Sequence, residues 1–256
     1  MIVSNNSKKP HIHGSAYVAP NAIVSGDVTI EEGCAVLFGA VITSEGAPVV
    51  IGANTVVMEN AVLKASGGSA IAFPLTVGES CIIGPGAYVV GATIEPGAFI
   101  AAGAKVFNGA VVEQGVSVAL GAIVHINTHV RTGQHVPMQH IAYGDPAAIH
   151  PPREAQQVAD QMNFFESVFN LPDSQDVRAQ AAESYSKFLR KSHAQDAAIA
   201  QPQKQEPPKR VSKLAPEPPP TQSADVGKVV DVMFAELEEA RLRRETSIQK
   251  EKRGKK

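Results

Sequence analysis

Ile94-Glu-Pro-Gly-Ala-Phe-Ile100-Ala-Ala-Gly-Ala-Lys-Val106-Phe-Asn-Gly-Ala-Val-Val112-Glu-Gln-Gly-Val-Ser-Val118-Ala-Leu-Gly-Ala-Ile-Val124 places an aliphatic residue at every sixth position. The same clock runs backwards through Val89, Ile83 and Val77, then Leu63, Val57 and Ile51, then Ile42, Val36, Ile30, Val24 and Val18, and forwards through Val130 to Val136. A small residue usually follows each aliphatic one at four places, as in Ala40, Ala61, Cys81, Ala98 and Ala110. Gly, Asn or Asp dominates at three places, from Asn21 and Asp27 through Asn54 and Gly109 to Asn127 and Gly133. Those residue types tolerate a positive φ. A helix cannot carry a Gly or Asn at every sixth position, and a sandwich does not repeat so strictly. The pattern therefore predicts a parallel β-helix, in which each hexad is one short strand plus a tight turn. Three hexads close a triangular coil, so 19 hexads predict about six coils. Stacking the coils buries the aliphatic ladder.

The composition divides near residue 152. Residues 1–152 hold 19 of the 21 glycines but only 5 Lys+Arg and 9 Asp+Glu, whereas the rest is rich in charge. The net charge of -2 argues against a nucleic-acid partner, since phosphate binding needs a basic excess. The two cysteines, Cys34 and Cys81, fall on small inward positions and read as core thiols. No apolar run approaches the ~20 residues of a membrane span, and the polar start Met1–Pro10 does not read as a secretory signal. The expected compartment is cytoplasmic.

Over about residues 11–150 the chain resembles the left-handed β-helix of the hexapeptide-repeat superfamily. The closing segment Ala142-Tyr-Gly-Asp-Pro-Ala147 supports the likeness. The resemblance implies a homotrimer with sites between subunits.

The repeat slips in three places: three extra residues between Ile42 and Ile51, eight between Leu63 and Val77, and one missing between Val89 and Ile94. Loops extruded from a rigid coil are where such scaffolds place binding groups. The stretches Ala40–Gly52, Asn54–Lys64 and Val77–Gly91 are similar to the γ-class carbonic anhydrases. That family carries an Arg-Gly-Asp segment in the first stretch. It has a His at the end of the second and a His-x4-His pair in the third. Three imidazoles there hold a zinc or iron ion that makes hydroxide from bound water. In this sequence the Arg and Asp positions are Thr43 and Glu45, and the ligand positions are Lys64, Pro85 and Val90. An ammonium repels a cation, and Pro and Val offer no donor. The resemblance thus implies a branch without the usual metal site, and no cofactor is expected.

The histidines are His11, His13, His125, His129, His135, His140, His150 and His193. Four crowd into residues 125–140, but the register sends His125, His129 and His135 outward on different faces, with His140 inward near the end. His125 and His129 are the candidate catalytic residues. A hexapeptide-repeat acyltransferase would use one of them as general base on an acyl acceptor, with coenzyme A laid between coils. A carbonic anhydrase with displaced zinc ligands is the other enzymatic alternative.

Pro151-Pro152 ends the β-helix. Val158, Met162, Phe165, Val168 and Phe169 then follow helical spacing, with Phe164, Phe165 and Phe169 as expected anchors. A second helix is expected from an N-cap at Asp173 to His193, so that residues 151–193 pack on or near the β-helix. Residues 194–225 are proline-rich and predict a disordered linker. In residues 226–250, Val226, Val230, Met233, Leu237 and Ala240 form a short amphipathic helix suited to docking on a protein partner. Taken together, the chain reads as a trimeric, γ-carbonic-anhydrase-like scaffold or binding protein with a docking tail.

Overall fold

A computed structural model describes residues 1–67, 72–161, 164–172 and 174–199. The chain winds as a left-handed parallel β-helix with three faces. The first face stacks eight parallel strands from Ile2–Ser4 to Ile141–Tyr143, and the other two stack seven each, His11–Ile12 to His129–Val130 and Tyr17–Val18 to His135–Val136. Successive coils are in register, so one ladder on the first face runs Val24, Ile42, Leu63, Val89, Val106, Val124. Every member of that ladder is fully buried. Short strands suffice because each coil hydrogen-bonds to the next along all three faces, and the aliphatic side chains fill the prism between them.

The turn positions behave as the residue types require. Asn54, Asn60 and Asn127 take φ of 58°, 58° and 50°, beside the glycines of neighbouring coils. Asn21 and Asp27 do not, and in the turn of Asp27 the left-handed residue is Gly26. A different requirement acts at Gly52 and Gly78. A Cβ on Gly52 would come within 2.6 Å of the Gly78 carbonyl carbon, and one on Gly78 within 2.6 Å of the Pro96 nitrogen. Close backbone approach between coils, and not backbone dihedral, demands glycine there.

The sequence reading is extended at both ends. The first strand begins at Ile2 and not near residue 11, and the stack has seven full coils with an eighth strand on the first face, and not about six. Ile12 and Ala142 continue the aliphatic clock, and both belong to the stack. At the far end the strand Ala148–His150 folds back antiparallel on Ile141–Tyr143 and covers the last coil. At the near end Ala197–Ile199 pairs antiparallel with Ile2–Ser4, so residues expected in the linker from 194 onward join the sheet. Their alanines and isoleucine satisfy the otherwise unpaired backbone of the first strand. Cys34 and Cys81 are buried, and burial pushes both thiols above their ordinary range.

Three helices follow the β-helix: α1 (Ala155–Ala159), α2 (Phe164–Phe169) and α3 (Val177–Ser192). The single helix expected over residues 153–169 is thus two, with α1 closing at Asp160. Asn170, at φ 53°, terminates α2 in the left-handed conformation that favours asparagine. α3 begins at Val177 after an N-cap at Asp176, three residues beyond the expected one, and Val177 and Ala181 are its buried residues. Asp173, the side chain of Phe164, the tail helix and nearly all of the linker lie outside the described residues. Among the described residues no helix is long and apolar enough to cross a membrane.

Candidate functional site

The three slips in the repeat meet at one place on the first face. At the first slip, Glu45 follows the strand Val41–Ser44. At the second, the strand Val62–Gly67 overruns its coil and pairs back with Ala72–Phe73, forming a hairpin with Ser66 opposite Phe73. At the third, Gly91 takes a left-handed turn after Val90, tucked against Phe73. Helices α2 and α3 lie beside this region and form with it an open cleft of about 570 Å³. Phe73, Tyr88 and Phe107 line it from the β-helix, and Phe169, Tyr185 and Phe188 from the helices. Tyr185 stands between Phe169 and Phe188, with ring centroids 5.9 and 6.2 Å away.

A polar network closes one end. Lys64 Nζ lies 2.8 Å from Glu45 Oε2, and both side chains are largely buried, at 18% and 12% exposure. Lys64 Nζ donates to the Tyr185 hydroxyl at 3.1 Å, and that hydroxyl donates to Glu45 Oε2 at 3.3 Å. Burial opposes the charge on Lys64, but hydrogen bonds to Glu45 and Tyr185 outweigh it and hold the ammonium above the usual lysine range. The network continues to the C-terminal segment. His193 Nε2 is 3.9 Å from Glu45 Oε1, its Nδ1 is 2.9 Å from Asp196, and Asn5 Nδ2 donates to Asp196 and to the Ser192 carbonyl. This is how α3 and the final strand are held to the first coils.

Thr43, Lys64 and Val90 are direct register partners on consecutive coils, so they form one outward row beneath the cavity. Pro85 lies away from that row, in the wall of a shallow furrow with Met58, Phe99 and Leu120. These residues do not fit a metal ion. Lys64 is a cation already paired with a carboxylate, Val90 has no donor atom, and Pro85 lacks even an N–H. Among the described residues no group of three or more His, Cys, Asp or Glu is arranged to hold an ion.

His125 and His129 stand on different faces, as their register implied. His125 continues an aromatic row on the first face, Tyr88–Phe107–His125–Tyr143, with centroid spacings of 6.2, 6.2 and 5.6 Å. Burial pushes its imidazole below the ordinary histidine range. The Ile126 N–H donates to Nδ1 at 2.9 Å, so the neutral ring carries its proton on Nε2. His129, on the second face, places Nε2 2.7 Å from Glu113 and Nδ1 3.6 Å from Asp145. The Thr132 N–H, 2.7 Å from the other Glu113 oxygen, draws that carboxyl below the usual range, and His129 adds to the effect. His135 is on the third face. His140, expected inward, is partly exposed because no further parallel coil lies beyond it. The histidine cluster in sequence is no cluster in space. Of the residues that do converge, Glu45 and Lys64 were marked by the slips and by the family's motif positions, whereas Tyr185 had no signal in the sequence.

Fold and repeat define a hexapeptide-repeat protein of the left-handed β-helix class. A hexapeptide transferase family protein from Anaplasma phagocytophilum has a similar solved structure, at 19% identity and a TM-score of 0.45 over 76% of this chain and 98% of that one. Among curated proteins, γ carbonic anhydrase 1, mitochondrial, of Arabidopsis thaliana is 32% identical over 197 residues, covering 73% of this chain and 68% of the relative. γ carbonic anhydrase 3, mitochondrial, from the same plant is 32% identical over 99 residues, and there the match spans only 38% of each chain. No family model matches the chain. The protein belongs to the γ carbonic anhydrase family, in a branch without the family's usual histidine ligands.

Proposed function

We propose that this protein is a self-associating scaffold and binding protein of the γ carbonic anhydrase family, and not a metal-dependent hydratase. The observation that carries the reading is the Lys64–Glu45–Tyr185 network. Where the family resemblance puts the first metal ligand, this chain places an ammonium neutralised by a carboxylate and capped by a helix. The ammonium has no lone pair to offer a metal, and it already neutralises the one carboxylate beside it.

Self-association is supported by an apolar strip at the corner after the third face. Phe38, Phe99, Leu120 and Met138 are 52%, 42%, 47% and 56% exposed, and three of them rim or neighbour the furrow that contains Pro85. Exposed apolar residues gathered on one side of a rigid prism are the kind of surface that a closed oligomer covers. A homotrimer is the assembly this reading adopts, with the segment 226–250 as the docking peptide for a protein partner. The cytoplasmic assignment belongs to the same proposal, although both plant relatives are named mitochondrial.

The test combines metal analysis with mass measurement on the full chain. After chelation and re-equilibration with zinc or iron, stoichiometric metal should be absent and light scattering should give three chains. Leu120→Glu with Met138→Glu should yield monomer. Deleting residues 222–256 should abolish partner capture and leave the trimer intact. About one tightly held metal per chain would overturn the reading.

A further inference from the structure

We propose that the cavity between the first face and helices α2 and α3 is a binding site for a flat, uncharged aromatic molecule bearing a carbonyl acceptor. At about 570 Å³ it falls within the ~300–1,000 Å³ typical of small-molecule sites. Aromatic side chains stand on opposite sides of it, Tyr88 and Phe107 on the β-helix and Phe169 and Phe188 on the helices. Rings on two sides favour a planar guest that stacks or meets their edges.

The polar groups select its charge and hydrogen-bonding sense. Lys64 has three ammonium hydrogens, and Glu45 and Tyr185 take two. The third remains available to a carbonyl oxygen. Glu45 already balances the positive charge, so a guest carboxylate would face an anion 2.8 Å from the group meant to receive it. A guest cation would face the ammonium itself. Farther along the wall, Ser66 donates to Asn108 Oδ1 at 2.8 Å, which orients the amide and leaves its Nδ2 without a partner among the described residues. Both open positions are donors, so the guest presents acceptors. The hairpin, the overrun strand and the closing helix have a common outcome in this cavity, which goes beyond the scaffold reading and depends on neither trimer nor tail.

Naphthalene-2-carboxamide is the probe, with naphthalene-2-carboxylate and 2-naphthylmethylamine as charged counterparts. The chain contains no Trp, so naphthalene fluorescence is read without interference, and calorimetry gives the stoichiometry. The amide should bind the full chain one to one, about tenfold or more tighter than either charged probe. The paired variant Lys64→Met/Glu45→Gln, which leaves no lone buried charge, should weaken the amide by about tenfold or more. Val90→Phe, which adds bulk at the cavity floor, should abolish binding while leaving metal content and oligomer mass unchanged. Ser184→Phe fills the cavity from α3 and serves if the first variant does not fold. Absence of saturable amide binding, preference for a charged probe, or unchanged affinity in the filled variants would overturn the proposal.

Discussion

Replacing Lys64 with Met tests whether the site is an ion pair or merely two neighbouring side chains. Met keeps most of the stem volume and removes the charge, leaving Glu45 at 12% exposure without its ammonium partner and with the His193 ring no nearer than 3.9 Å. Breaking a buried pair by removing one partner typically costs ~3–5 kcal/mol, against ~0–1 kcal/mol for an exposed pair. At 18% and 12% exposure the site lies toward the buried limit, so about 3 kcal/mol is expected. For a folded unit of this size that corresponds to a fall in Tm of roughly 6–12 °C. Glu45→Gln alone strands the ammonium and should cost a similar amount. The double variant strands neither, so it should recover much of the loss, and the double-mutant cycle should give a coupling energy well above 1 kcal/mol. The pH dependence has a definite sign. Because the folded-state pKa of Lys64 is raised, its stabilisation is complete below the unfolded value near ~10.4 and is lost only as pH climbs through the higher folded value. The gap between wild type and Lys64→Met should therefore stay constant through neutral pH and narrow only in strongly alkaline solution. Thermal unfolding by circular dichroism from pH 6 to pH 11 measures all of this. A loss under ~1 kcal/mol at pH 7 with additive single variants would refute the assignment of a desolvated pair.

Three further outcomes are expected. Gly78→Ala forces a Cβ to within 2.6–2.9 Å of the Glu95–Pro96 backbone, which cannot give way without parting two coils, so it should destabilise by about 1–3 kcal/mol in denaturant unfolding. Leu63→Ala empties a fully buried ladder position between Ile42 and Val89 and should cost ~2–5 kcal/mol by the same measurement. His125 has a lowered pKa, so folding disfavours its protonated form and stability should decline as pH falls below the ordinary histidine value. His125→Phe, which preserves the aromatic row, should flatten that decline, and NMR titration should place the wild-type midpoint below ~6.5.

The fold was legible because a β-helix repeats its physics every six residues. Each of Val24, Ile42, Leu63, Val89, Val106 and Val124 announces the same inward position, and the errors fell where the repeat meets its ends. The first strand was missed since residues 2–4 lack a complete hexad, and the hexad at Ala142, inside the expected β-helix, went uncounted since Ala stands where Val or Ile was expected. The short helices were less legible. α1 and α2 form one apolar periodicity in sequence but two pieces in space, and Val177 opens α3 by being buried against neighbours no local rule can see.

The site was harder because its residues come from sequence positions with no shared pattern. Tyr185 lies 121 residues from Lys64, on a helix whose docking no periodicity predicts. His125 and His129 drew notice because histidine carries chemistry and four stood close in sequence. Their separation by four residues put them on two faces of the prism instead of one. What did carry information was the failure of the repeat. A coil that inserts residues cannot bury them in the prism and must place them outside it. When the slips fall on successive coils of the same face, the excess accumulates at one surface. Glu45 and the paired strand ends at Ser66 and Phe73 belong to the two insertions, Gly91 marks the shortened turn that follows, and α3 packs beside them. In such a repeat, function is written where the aliphatic clock loses time, and residue type then decides the chemistry. Here a lysine beside a glutamate directs the site toward hydrogen bonding to a guest and away from a metal.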